Sequence, residues 1–205
     1  MNRRLLVATK NEGKRRELSA LLADLPLHLI DLNSFQGVRS IHETGNSFTE
    51  NARLKAAGYA QQTRLLTLAD DSGLEVDALD GAPGAWSARY AGLDASDSDR
   101  IRKLLADLSS VPDPLRIARF VSVIAIADEN GEIINLSCGS CQGRVARVAK
   151  GSDGFGYDPI FVPRGHDKTF GELASDVKNR ISHRAKALAK ARAFLLSLTR
   201  DQSAR

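Results

Sequence analysis

Long apolar runs are missing from this chain. No stretch approaches the roughly 18 consecutive apolar residues that a membrane-spanning helix needs. The N-terminal run Leu5-Leu6-Val7-Ala8 is too short for a secretory leader and meets Lys10 at once. The expected compartment is therefore the cytoplasm. Cysteine is scarce, with Cys138 and Cys141 as the only two. They form a C-x-x-C, but redox pairs of that kind open a helix, whereas Gln142 to Val148 alternates like a strand. Positions three apart on a strand face opposite sides, and a zinc site would need further ligands at matching spacing, so neither role is expected of them. Internal repeats, low-complexity tracts and a clear linker are absent, and the 205 residues read as one domain, large enough to bury a real core. The G-x-x-x-x-G-K-[ST] spacing of a P-loop is absent, as is any recognisable nucleic-acid reader motif.

The charge that is present is unevenly spread. The net value is +4, yet Lys178 to Arg205 carries eight basic residues against one acid, while the remainder carries 21 basic against 24 acidic. A local positive surplus suits an anionic ligand, a nucleic acid or simply a solvated helix face, and net charge does not choose among them.

The chain is organised around Leu65-Leu66-Thr67-Leu68-Ala69-Asp70-Asp71-Ser72-Gly73. An apolar run bounded by glycine reads as a buried strand, and one ending in two acids would deliver them to the carboxyl edge of an α/β sheet, where such folds place ligands. Adjacent strand residues point to opposite faces, so Asp70 and Asp71 are expected to do different work. One would face a divalent metal and a water, and the other would support it from behind. Ser72-Gly73 reads as the turn that closes the strand.

Around this centre, Leu5 to Thr9 predicts a strand, Asn11-Glu12-Gly13 a turn, and Lys14 to Leu25 a helix through Leu18, Leu21, Leu22 and Leu25. Free amides at such a helix start favour phosphate, and Thr9, Asn11 and Lys14 surround that turn. Leu27 to Leu32 predicts a second strand. Ser47 with Glu50 three residues on fits a capping box, opening a helix to about Thr63 that carries Lys55. Lys55 could reach a phosphate or simply solvate the surface. Gly81-Ala82-Pro83-Gly84 predicts a turn, Asp97 to Leu108 a helix, and Arg119–Asp128 with Glu132–Val148 a strand pair turning at Asn130-Gly131. In Gly151-Ser152-Asp153-Gly154-Phe155-Gly156-Tyr157-Asp158-Pro159 the glycines permit positive φ, and Pro159 would hold Asp158 extended. Phe155 and Tyr157 either stack on a purine ring or anchor the loop. A last helix starts between Ser175 and Ser182 and runs to about Leu198, with Lys178 and Ser182-His183-Arg184 near its start.

Together these segments resemble the inosine/xanthosine triphosphate pyrophosphatases, which remove deaminated purine nucleotides. The resemblance rests on Ala8-Thr9-Lys10-Asn11-Glu12-Gly13-Lys14, Glu43-Thr44-Gly45, Phe48-Thr49-Glu50-Asn51-Ala52 with Lys55, Ala69 to Gly73, Gly81 to Gly84, Ser87-Ala88-Arg89-Tyr90, Phe155 to Pro159 and Ser182-His183-Arg184. It implies an α/β fold with an elongated mixed sheet flanked by helices, two lobes around a central cleft, and a homodimer. It also implies substrate contacts from Thr9, Lys10, Asn11, Glu12, Gly13, Lys14, Lys55 and Arg89 to the phosphates, and from Ser72. The base pocket would comprise Phe155, Gly156, Tyr157, Asp158, Lys178, His183 and Arg184. Glu43 and Asp71 would hold Mg²⁺, and Asp71 would also be the proton acceptor, with Asp70 as competitor for that role. The substrates would be ITP, dITP and XTP, with no nucleic-acid or membrane partner. Lys10 stands where the family often has glycine, and Trp86 where it often has tyrosine. Rival readings are a basic nucleic-acid-binding protein using the Lys178–Arg205 segment and a septum-inhibitor-type nucleotide pyrophosphatase.

Overall fold

A computed structural model describes residues 3–200. The strands are β1 (Arg3–Val7), β2 (Leu27–Asp31), β3 (Thr67–Val76), β4 (Ile117–Ala127), β5 (Ile133–Val145) and β6 (Phe161–Pro163). The α-helices are α1 (Glu12–Leu22), α2 (Phe48–Thr63), α3 (Asp97–Asp107), α4 (Ser175–Ile181) and α5 (His183–Arg200). The strands form one sheet in the order β2-β1-β3-β4-β5-β6. It is mixed: β1 runs parallel to both β2 and β3, whereas β5 and β6 are antiparallel. The expected α/β class with a mixed, helix-flanked sheet is what the chain adopts.

The residues sort into two compact units. The first gathers the chain through Asp71, Ser122–Gly139 and the segment from Arg184; the second comprises Ser72–Val121 and Ser140–His183. In the first, Leu5 and Val7 of β1 and Leu66 and Leu68 of the β3 segment meet Leu18 and Leu22 of α1 and Ala187, Leu188, Ala191 and Leu195 of α5. The three- and four-residue spacing on each helix puts one apolar stripe against the sheet. In the second, Leu104 and Leu108 join Phe120, Phe161 and Phe170. Their rings pack edge-on and tilted, with centroids 4.7 Å apart for Phe120–Phe161 and 5.3 Å for Phe161–Phe170, within the range that aromatic quadrupoles favour.

Three local expectations are corrected. First, β3 does not end at the acids. It continues to Val76, so Asp70 and Asp71 lie mid-strand. Gly73 is not a turn residue but a point of close approach: a Cβ there would sit 2.2 Å from Ser87 Oγ and 2.7 Å from Gly84 O. Ser87 Oγ accepts from Leu74 N at 2.9 Å and donates to Gly84 O at 2.6 Å, which is why a strand glycine is needed here. Second, the C-terminal helix is broken. Ser182 is extended (φ −67°, ψ 161°) and its N–H caps α4 at Lys178 O, 2.9 Å away, so that α5 restarts at His183. Third, Asp158 opens a one-turn 3-10 segment, Asp158–Ile160, instead of an extended stretch ahead of Pro159. The Asp158 carboxylate accepts from Phe155 N at 2.8 Å and holds the turn closed. The glycines of this loop do take positive φ: 76° at Gly151, 78° at Gly154 and 61° at Gly156.

Candidate functional site

In the first unit, β1 hands the chain to α1 through Ala8 to Asn11. Thr9 Oγ1 accepts from Asn11 N at 3.2 Å, and the Asn11 side chain caps α1 by accepting from Lys14 N at 2.9 Å. The helix thus begins at Glu12, earlier than the expected Lys14, and Gly13 is a buried helical residue. Lys14, one turn in, places its ammonium 3.0 Å from Asp70 Oδ2.

Asp70 is the most enclosed acid of the cluster. Arg184 Nη2 lies 3.2 Å from Oδ2, and Ser122 of β4 donates a short hydrogen bond to Oδ1. Arg184 also donates to Glu17, one turn after Lys14 on α1. Burial pushes the Asp70 carboxyl up, but Arg184, Lys14 and Ser122 outweigh it and hold Asp70 well below the usual carboxylate range.

The neighbouring side chain meets a different set of groups. Lys55, buried on α2, donates to Asp71 Oδ1 at 2.7 Å, Glu43 Oε1 at 2.7 Å and Asp70 O at 2.9 Å. Those acceptors match the three donors of an ammonium. Burial opposes the Lys55 charge, but Asp71 and Glu43 reverse this and raise it. For Asp71 the balance falls the other way: burial, aided by Glu43, keeps its carboxyl above the usual value despite Lys55 and Lys14. Lys14 is lowered by burial, with Lys55 adding to this and Asp70 opposing it. The strand alternation therefore does separate the two acids by their partners.

In the second unit, Lys178 of α4 and Asp158 form a short buried ion pair, and the ammonium lies 4.9 Å from the Phe155 ring centroid. Gly156 N donates to Asp97 Oδ2 at 2.7 Å. Tyr157 is buried and its hydroxyl donates to Ser87 O at 3.0 Å, so this ring anchors the loop, while Phe155 is half-buried. His183 is buried and stacks on Phe120 with ring centroids 4.7 Å apart. Arg89 lies over Trp86 at 4.3 Å, and Ser72 is half-buried on β3. Lys10 is exposed and donates to Ser40 Oγ at 2.6 Å, and Glu12 is exposed and pairs with Arg15. The structure thus gathers Lys14, Glu43, Lys55, Asp70, Asp71 and Arg184 within the first unit, and Phe155, Gly156, Tyr157, Asp158 and Lys178 within the second.

Sequence reading missed Glu17, Ser122 and Asp97. Glu17 could have been found from its i+3 spacing to Lys14, which puts both on one helix face. Nothing in the sequence marks Ser122, which meets Asp70 only through strand pairing. Four of the eight basic residues from Lys178 to Arg205 meet acids: Lys178 on Asp158 and Arg184 on Glu17 and Asp70 in buried pairs, and Arg180 on Asp176 and Arg192 on Asp24 at the surface.

The acids fit a hard divalent cation. Glu43 and Asp71 accept from one ammonium, so their oxygens lie within two hydrogen bonds of each other. Among the described residues, no group of three or more His, Cys, Asp or Glu is arranged to cage a metal. Mg²⁺ suits such a pair, because it takes one or two carboxylates and keeps several waters or phosphate oxygens.

Comparison with known proteins finds similar chains over nearly the whole length. A profile described as the Ham1 family matches residues 5–194. A protein of Desulforamulus reducens named dITP/XTP pyrophosphatase is 48% identical over 192 residues, covering 94% of this chain and 95% of its own. A solved HAM1 protein from Coxiella burnetii superposes with a TM-score of 0.86 at 43% identity, covering 95% of this chain and 99% of that one. A nucleoside-triphosphatase, dITP/XTP pyrophosphatase, from Mycobacterium abscessus gives a TM-score of 0.73 at 43% identity, with 91% and 96% covered.

Proposed function

The chain belongs to the Ham1 family, and from that premise we propose that it hydrolyses deaminated purine nucleoside triphosphates (ITP, dITP, XTP) to the monophosphate and pyrophosphate, keeping them out of DNA and RNA. The observation that carries this reading is the pairing of two lysines with three acids within one unit: Lys14 of α1 on the buried Asp70, and the buried Lys55 of α2 on Asp71 and Glu43. Ammonium groups beside helix-start amides suit a polyanion, and adjacent carboxylates suit the cation that accompanies it.

The reaction is NTP + H₂O → NMP + pyrophosphate, with water attacking the α-phosphorus. Thr9 to Lys14 bind the triphosphate, with Lys55 adding its charge from its place on Asp71 and Glu43, Arg89 near the phosphates and Ser72 on the substrate. Glu43 and Asp71 would hold Mg²⁺, which would supply Lewis-acid stabilisation of the charge that develops on the phosphates. Asp71 takes the proton of the attacking water. What supports Asp71 over Asp70 is the opposite tuning of the two. Asp71 is held up by burial, whereas Asp70, beside Arg184 and Lys14, is held far down and is a poor base. Asp70 instead secures Lys14 and Arg184. Phe155, Gly156, Asp158, Lys178, His183 and Arg184 read the base, with Tyr157 anchoring the 155–158 loop. Donors facing the 6-oxo group of hypoxanthine or xanthine are left unpaired opposite the 6-amino group of adenine, which discriminates strongly.

The proposed assembly is a cytoplasmic homodimer, for which the exposed apolar Trp86 (53%) offers a contact point. Among the described residues, no helix is long and apolar enough to cross a membrane. Burial in ion pairs takes Lys178 and Arg184, two of the eight C-terminal cations, away from the nucleic-acid reading. The test is a panel of ITP, dITP, XTP, ATP and GTP with Mg²⁺ and pyrophosphate detection. Selective release of pyrophosphate from the deaminated substrates is expected; equal kcat/KM for ITP and ATP would overturn the reading.

A further inference from the structure

Glu43 lies in the segment before α2, outside any strand or helix, yet its carboxylate must be aimed at Lys55 and Asp71. What aims it is visible one turn before Lys55 on the same helix face. Asn51 is fully buried, and its Oδ1 accepts from Gly45 N at 2.9 Å. The segment leading into α2 is pressed onto the helix at this point. A Cβ on Gly45 would stand 2.6 Å from Glu50 Cβ and 2.8 Å from Asn51 Oδ1, so only glycine lets the backbone approach. The stitches after Gly45 are exposed: Asn46 N donates to Glu50 Oε2 at 2.7 Å, and Glu50 N to Ser47 Oγ at 3.2 Å. On the other side of Glu43, Ile41 N makes a longer, part-buried bond to Tyr59 Oη at 3.4 Å, so the short buried one is at Gly45.

Asn51 is a poor choice for stability alone. Its Nδ2 is buried and finds no acceptor among the described residues, and buried polar groups in folded proteins are nearly always paired. Local rules are broken mainly where function requires a particular geometry. We propose that Asn51 is a positioning residue for the carboxylate Glu43: its side-chain oxygen fixes Gly45, and with it the backbone that presents Glu43 to Lys55 and Asp71. This rests on the reading that Glu43 holds the divalent metal, and it adds the residue that sets Glu43 in place. Residues that orient a metal ligand typically govern about 10–100-fold in metal affinity or activity.

The test compares Asn51→Leu, which keeps the volume but removes the acceptor, with Asn51→Asp, which keeps an oxygen for Gly45 N, and with Glu43→Gln. Each folded variant is titrated with Mn²⁺ by calorimetry, its Mg²⁺ requirement for pyrophosphate release is measured, and its thermal midpoint is recorded. Asn51→Leu orphans the buried Gly45 N–H and is expected to lower the melting midpoint by roughly 2–12 °C, and beyond that to bind Mn²⁺ and use Mg²⁺ at least about tenfold more weakly, with Asn51→Asp recovering most of the loss of metal. A merely structural role would move the melting midpoint and leave the metal titration unchanged. If Glu43→Gln loses metal while Asn51→Leu binds it as the parent does, the positioning role is wrong. If Glu43→Gln itself binds metal normally, the metal assignment falls first. Should Asn51→Leu not fold, Asn51→Asp decides alone, and weak metal binding by that folded variant would overturn the proposal.

Discussion

Asp70→Asn and Asp71→Asn are isosteric changes at adjacent positions of one strand, and the structure assigns them opposite effects on stability. Asp70, with a side chain 0% exposed, faces Lys14 at 3.0 Å and Arg184 at 3.2 Å. Removing its charge leaves two enclosed cations with less compensation, a loss of about 3–5 kcal/mol when a buried pair is broken from one side. Two details favour the lower end: Arg184 keeps Glu17, and Lys14, already lowered by burial, can shed its proton. About 3 kcal/mol corresponds to a fall in melting temperature of roughly 6–12 °C for a domain of this size. Asp71 is the reverse case. Its folded carboxyl lies above the unfolded value, so its ionised form destabilises the fold at neutral pH, and an amide relieves that penalty while Lys55 retains Glu43. Urea unfolding at pH 7, with the m-value confirming an unchanged transition, should place Asp70→Asn well below the parent and Asp71→Asn level with it or above. Equal destabilisation by the two, or an Asp70→Asn variant within about 1 kcal/mol of the parent, is incompatible with a buried Asp70 pair of the stated strength.

Other expectations follow from the same contacts. In steady-state assays with ITP and Mg²⁺, Asp71→Asn should lower kcat by about 10²–10⁴-fold, the usual worth of a general base; near-normal kcat would remove Asp71 from that role. Because Asp70 is depressed on folding, its stabilisation is complete above the unfolded carboxyl value and is lost as pH falls through the folded one. Acid unfolding of the parent should therefore show a steep component below about pH 4 that Asp70→Asn lacks, followed by circular dichroism. Gly73→Ala should cost at least about 1–3 kcal/mol by overpacking against Ser87 Oγ and Gly84 O, measured by chemical denaturation. Ser87→Ala should cost about 1–3 kcal/mol, since it orphans the buried Leu74 N–H.

The elements were legible because local chemistry dictates them. The Leu18/Leu22 stripe made α1, Ser47 capped α2 through Glu50 N at 3.2 Å, and Asn130-Gly131 turned the β4–β5 hairpin with Gly131 at φ 92°. The different partners of Asp70 and Asp71 followed from the period of two along a strand. Where sequence reading failed, a distant segment had overridden a local signal. Ser72-Gly73 reads as a turn until Ser87, 13 residues beyond Leu74, is seen to need the space that glycine leaves. Asp158 reads as extended until Phe155 N and Lys178 are seen to claim its carboxylate. Lys178 and Arg184 read as part of a local surplus of charge until Asp158, Glu17 and Asp70 are seen to claim them.

The sequence by itself determined which residue types lie where on each strand and helix, because propensity, capping and periodicity act over a few residues. Only the tertiary structure decided which acid meets which cation. Ser122 to Asp70 spans 52 positions and Arg184 to Asp70 spans 114, and no local rule reaches that far. The tuning of the two adjacent carboxyls is a property of burial and of those distant charges, and so belongs to the folded chain alone.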